Sequence, residues 1–106
     1  MDTALSVLKL TSGTARHAAD MQVATARNIA QIDVPGTKPL RVRSFNDSLE
    51  QIGRGEAPEQ YEEQKPLSLE TEVLTLAQAR GRHDAAVAIW NTTLDMMRLA
   101  VGGQQR

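Results

Sequence analysis

Between Leu69 and Val101 side chains recur at alternating steps of four and three: Leu69, Val73, Leu76, Arg80, His83, Val87, Trp90, Leu94, Met97 and Val101. Eight of these ten positions are apolar. The spacing is that of a helix lying lengthwise against another helix. At 1.5 Å per residue the stretch makes a rod of roughly 50 Å. A chain of 106 residues that commits so much of itself to one rod keeps little for an enclosed pocket. Assembly is favoured over chemistry.

Composition points the same way. Hydrophobic content is 41%, but Phe, Tyr and Trp occur once each, and alanine supplies much of the remainder. A core of small side chains is thin and stabilises a lone monomer poorly, which oligomerisation remedies. The net charge of −1 gives no general pull toward nucleic acid or an anionic membrane. No apolar run reaches the length of a membrane span. Residues 1–12 include Leu5, Val7, Leu8 and Leu10 but no basic start and no sustained apolar stretch. The expectation is a cytoplasmic protein, or one exported by a route that cleaves nothing. The absence of cysteine removes disulfides and thiolate metal sites.

The pattern predicts a single all-α domain over 1–106. An N-terminal helix occupies 1–33, a turn, short helix and flexible connector occupy 34–66, and the C-terminal helix occupies 67–103. The first helix is read from about Thr3 to Ile32 with Asp2 as N-cap. One of its faces gathers Leu5, Leu8, Ala15, Ala19, Ala26, Ile29 and Ala30. Gly13 lies within it at a cost of about 1 kcal/mol relative to Ala, so the stretch before it is expected to fray. Pro35 disfavours helix at Val34, and Pro35-Gly36 suits the centre of a type II turn. Ser44 can cap a brief helix with Phe45, Leu49 and Ile52 on its apolar face, ended by Gly53. From Gly53 to Pro66 the composition reads as a loose connector. Ser68 caps the long helix, Glu70 and Glu72 suit its positive N-terminal end, and Gly102-Gly103 ends it. The two long helices are expected to form an antiparallel, coiled-coil-like hairpin.

Candidate chemistry is sparse. His17 and His83 lie in different helices without spaced Cys, His or Asp/Glu companions, so neither predicts a metal site. His83 sits on the seam beside Arg80, where a polar residue more often sets register. Asp84 follows His83, but adjacent helical residues point about 100° apart, poor geometry for a base and its orienting group. The basic stretch Lys38, Arg41 and Arg43 lacks stacking aromatics and is soon offset by Glu56, Glu59, Glu62 and Glu63. A turn in solvent or a charge contact with a neighbouring subunit suits it better than nucleic acid. The long helix also carries Leu74, Ala77, Ala85, Ala86, Ala88, Ile89, Met96 and Ala100 around its circumference. A helix apolar on several sides needs several neighbours.

The end of the first helix carries a resemblance. Asn28-Ile29-Ala30, followed by Val34-Pro35-Gly36-Thr37-Lys38, resembles the signature of the bacterial flagellar axial proteins. In that family the N-terminal helix ends in Asn-Ile-Ala-Asn, two variable residues, then Thr-Pro-Gly-Tyr-Lys. Here Gln31 stands for the second Asn, Val34 for the Thr and Thr37 for the Tyr. Leu69-Glu70 with Glu72, Leu76-Ala77 and Leu99-Ala100 is similar to the C-terminal helix of the flagellar basal-body rod proteins. Phe45 and Leu49 are similar to the residues just after the signature in the proximal rod proteins, though the connector 53–66 is shorter.

The resemblance implies a structural subunit with no enzymatic activity, no cofactor and no small-molecule or nucleic-acid ligand. Such subunits pass unfolded through the flagellar type III export apparatus, without a cleaved signal. They then polymerise in the periplasm into the rod that transmits torque to the hook. Implied partners are further copies, other rod proteins and the proteins of the membrane-ring junction. Asn28, Ile29, Ala30, Pro35, Gly36 and Lys38 would form the family turn, and Arg41 and Arg43 would touch a neighbour. The competing expectation is a small cytosolic coiled-coil adapter or export-chaperone-like binding module.

Overall fold

Two residues decide where the chain turns back. In the computed structural model, which describes residues 2–47, 54 and 60–104, Pro35 and Gly36 fill the centre of a reverse turn. The Thr37 N–H donates to the Val34 carbonyl at 3.4 Å, and Gly36 takes φ +79°. That is the type II geometry expected from the sequence, with glycine where φ must be positive. Helix α1 (Asp2–Ala30) leads into it, unwinding through i→i+3 bonds from Gln31 to Asn28 and from Ile32 to Ile29. Helix α2 (Leu69–Gln104) runs back antiparallel to α1, so that Glu72 meets Asn28 and Arg82 meets Met21. The described part measures 65 × 25 × 15 Å. The all-α hairpin read from the sequence is the fold.

Between the helices lies a strap. β1 (Leu40–Val42) packs on α1 and pairs antiparallel with β2 (Gln60–Glu62), with Arg41 opposite Tyr61. Part of the stretch read as a loose connector is therefore ordered as β2 against β1. The composition pointed to a loop, but backbone pairing does not depend on apolar side chains, and β2 is exposed at all three positions. Residues 45–47 are helical, and the Asp47 N–H lies 3.4 Å from the Ser44 Oγ, as a capping serine requires. Leu49, Ile52 and Gly53, expected to complete and end that helix, lie outside the described residues.

α1 ends two residues before its expected stop at Ile32, and α2 runs past its own. α1 is continuous from Asp2 through a buried Gly13. α2 passes through Gly102-Gly103 to Gln104. Among the described residues only Gly36 has positive φ, so no left-handed glycine cap forms there. At its start α2 is capped as expected, with Thr71 N–H 3.5 Å from Ser68 Oγ.

The face α2 turns to α1 is rotated from the predicted seam. Leu76, His83, Trp90, Leu94 and Met97 are partly covered, and the fully covered positions beside them are Glu72, Ala79 and Ala86. Leu69, Val73, Arg80, Val87 and Val101 remain exposed. On α1 the covered line is Thr11, Ala18, Thr25 and Asn28, while Leu5, Ala26 and Ala30 face outward. Small side chains let the backbones come close, so the alanine flank wins over the Leu/Val flank. Among the described residues the buried apolar side chains of the helices are Ala18, Ala24, Ala79 and Ala86, and Pro39 is buried ahead of β1. At about 0.8 kcal/mol per buried methyl-sized group the alanines contribute little. The buried threonines satisfy themselves locally, Thr11 donating to Val7 and Thr25 to Met21 carbonyls at 2.9 and 2.7 Å.

Two glycine substitutions separate turn from helix. Gly36→Val should cost about 1–2 kcal/mol in urea unfolding, because a side chain at positive φ is strained. Gly81→Ala should gain about 0.5–1 kcal/mol in the same assay. The added methyl at Gly81 meets open space within α2.

Candidate functional site

A cluster of polar groups near the turn joins all the ordered segments. Asn28, in the last turns of α1, is fully buried. Its Oδ1 accepts from the Leu40 N–H at 2.8 Å and its Nδ2 donates to the Leu40 carbonyl at 2.9 Å. The side-chain amide thus pairs with β1 as a neighbouring strand would, on the edge that β2 leaves free. The same Nδ2 donates to Glu72 Oε1 at 2.6 Å. Only an amide carries donor and acceptor in the arrangement this requires.

Glu72, in the first turns of α2, has 0% exposure. Arg41, on β1, meets it end-on: Nη1 donates to Oε1 at 3.1 Å and Nη2 to Oε2 at 2.6 Å. The Arg41 Nε donates to Glu63 Oε2 at 2.9 Å, just beyond β2. Burial alone would lower the Arg41 pKa. The hydrogen bonds and charges of Glu72 and Glu63 outweigh it and hold the pKa above the ordinary arginine value. A base raised in this way gives stability that is complete below its unfolded pKa and lost only as pH climbs past the folded one. Arg41 therefore stays charged, and keeps its contribution, through neutral and moderately alkaline solution.

The strap is held further along by His17. Its ring is buried, Nε2 donates to the Arg43 carbonyl at 2.7 Å, and the ring meets Phe45 edge-on with centroids 5.5 Å apart. Arg43 lies over the Tyr61 ring at 4.9 Å, linking β1 to β2. Lys38 donates to Gln64 across the base of the strap. Of the residues expected to touch a neighbouring subunit, Arg41 is thus committed within the chain and Arg43 contacts Tyr61. Ile29 is partly covered, Ala30 and Pro35 are exposed, and Gly36 forms the turn. His83 lies on α2 with Nδ1 3.7 Å from Asp84. Among the described residues no group of three His, Cys, Asp or Glu could hold a metal ion.

The outward surface is different in kind. Leu74, Gly81, Ala85, Ala88, Ile89, Met96 and Leu99 are all exposed along the side of α2 turned away from α1. At 100° per residue they share one uncharged face about 38 Å long. An open groove of about 230 Å³ runs beside Trp90, lined by Thr11, Ser12, Ala15, Ala86 and Val87. No helix among the described residues is long and apolar enough to cross a membrane. Comparison with known protein families, with curated proteins and with solved structures finds no match.

Sequence reasoning singled out Asn28 and Arg41 but missed Glu72 and Glu63 as their partners. In the sequence the helix N-terminus alone suffices to account for Glu72. The one available signal was an Asn late in α1, a strap Arg and an N-terminal Glu without local partners of opposite character. Removing the charge from this cluster tests it. Glu72→Gln should destabilise the chain by about 3–5 kcal/mol, because Arg41 is left facing a neutral group. Asn28→Ala should cost about 1–3 kcal/mol through the unpaired Leu40 backbone. Denaturant midpoints followed by helical circular dichroism measure both.

Proposed function

We propose that this chain is a structural subunit of the bacterial flagellar basal-body rod, of the proximal kind. The observation that carries the reading is the Asn28-Ile29-Ala30 and Pro35-Gly36 pattern, whose two ends do distinct physical work in this fold. Asn28 binds the strap to both helices, and Pro35-Gly36 makes the reversal. The surface supports the reading as well. Exposed Leu74, Ile89, Met96 and Leu99 on one face and Leu5 and Val23 on α1 leave both helices with apolar surface unpaired in the lone chain. Unpaired surface of this extent calls for neighbours.

In this reading the subunit crosses the envelope unfolded by the flagellar export apparatus and orders on the growing rod in the periplasm. Further copies, other rod proteins and the ring-junction proteins cover the outward faces. The free energy of those contacts supplements a thin alanine interior. Torque passes along the paired helices to the hook. No reacting group is needed for this work.

Mass spectrometry of detergent-extracted, purified hook–basal bodies from the source bacterium tests the reading. Peptides of this chain should be recovered in stoichiometric amounts with the rod. Recovery only in the soluble cytoplasmic fraction would sink the proposal and favour a helical adapter. Ile89→Arg with Leu99→Arg should abolish incorporation and swimming while leaving the chain's helical content unchanged, because both side chains are exposed. Trp90→Ala should also weaken assembly, since it removes the largest side chain of α2 from a contact that is only partly covered in the lone chain.

A further inference from the structure

We infer that the Asn28–Arg41–Glu72 cluster makes closure of this chain all-or-none: the strap cannot dock stably without α2, nor α2 without the strap. The inference goes beyond the rod reading and does not depend on it. Its basis is where each partner comes from. Glu72 belongs to α2, its counter-charge Arg41 to β1, and its amide donor Asn28 to α1, with 31 and 44 residues of chain separating them from Glu72.

In a hairpin closed without the strap, Glu72 would be pressed against α1 with one amide donor and no positive charge. A buried carboxylate in that state is strongly disfavoured. In a strap docked without α2, Asn28 would still hold Leu40, but its Nδ2 would lose one of two acceptors. Arg41 would keep only Glu63. The strapless hairpin therefore leaves a buried carboxylate short of partners. The strap without α2 meets water where Glu72 would be and forfeits the buried contacts that α2 brings. The closed chain has neither defect: among the described residues no buried side-chain N or O lacks a hydrogen-bond partner.

Apolar packing opposes this coupling only modestly, because Leu76, Trp90, Leu94 and Met97 are only partly covered in the closed chain. Among the described residues the buried apolar side chains are alanines, with Pro39 the one larger exception. Neither the helix pair nor the strap gains enough alone to carry an unpaired charge. The α1 side reinforces the coupling. Asn28 uses one nitrogen for both the Leu40 carbonyl and Glu72, which orients the amide for both partners at once. Strap and helices thus form one cooperative unit rather than a hairpin with an appended ribbon.

Amide hydrogen exchange on the full chain, in a series running from trimethylamine oxide to urea, tests this. The osmolyte favours the closed state and urea the open one. Residues 40–42, 14–25 and 76–90 should gain and lose protection at one shared midpoint. Glu72→Gln should move all three together, weakening the closing equilibrium by roughly two to four orders of magnitude. The paired variant R41M/E72M should recover most of that loss, because it removes both charges. Separate midpoints for the strap and the helices in the unaltered chain would overturn the inference. So would a Glu72→Gln effect confined to the strap, or R41M/E72M behaving no better than Glu72→Gln. Absence of protection at every osmolyte concentration would also overturn it, since the cluster would then be too weak to close the chain.

Discussion

A carboxylate removed completely from water organises this small protein. Glu72 sits where α2 begins, and burying its charge is unfavourable until Arg41 and Asn28 reach it. Those two residues come from different segments, so satisfying one charge fixes the end of α1, the start of α2 and the register of β1 together. The type II turn at Pro35-Gly36 and the Ser68 cap place these segments within reach of one another. Elsewhere the fully buried side chains of the helices are mainly alanine and threonine, which pack closely but discriminate poorly between registers. Specificity is concentrated in one polar cluster near one end of the molecule. An ion pair is better suited to choosing one arrangement than to adding net stability.

The architecture was legible in the sequence because its signals are local. The 3–4 spacing marks a helix wherever its partner lies, and Pro35-Gly36 defines its turn through backbone sterics alone. What was not legible depends on distant segments meeting. Which flank of α2 faces α1 depends on the small residues of α1, and so Ala79 and Ala86 prevailed over Val73, Val87 and Arg80. The pairing of Arg41 with Glu72 spans 31 residues and carries no periodic trace. β2 escaped notice because an exposed three-residue strand is held by backbone bonds that composition does not record.

Side by side, the two surfaces of α2 divide its tasks. The side toward α1 holds Glu72 and His83 and packs against small residues. The opposite side also holds large apolar groups, Leu74, Ile89, Met96 and Leu99, and these are exposed among the described residues. An isolated globular domain places large side chains inward and small ones wherever they fit. Here large side chains lie on both sides of α2, with Leu76, Trp90, Leu94 and Met97 only partly covered toward α1. Under the proposed rod reading, lattice contacts supply the apolar burial that the monomer lacks, and the internal cluster supplies shape.

Placing the rigid junction close to one end has a mechanical consequence. From Asn28 back to Leu5, α1 extends about 35 Å along α2, held there largely through small side chains. A rotation of about 5° at the junction therefore displaces the far tip by about 3 Å, the length of a hydrogen bond. Tips that travel this far while the root stays fixed can adjust to curved or slightly mismatched surroundings without disturbing the fold. The same leverage runs in reverse, delivering a sideways load on the tips to the Arg41–Glu72 pair as a magnified bending moment.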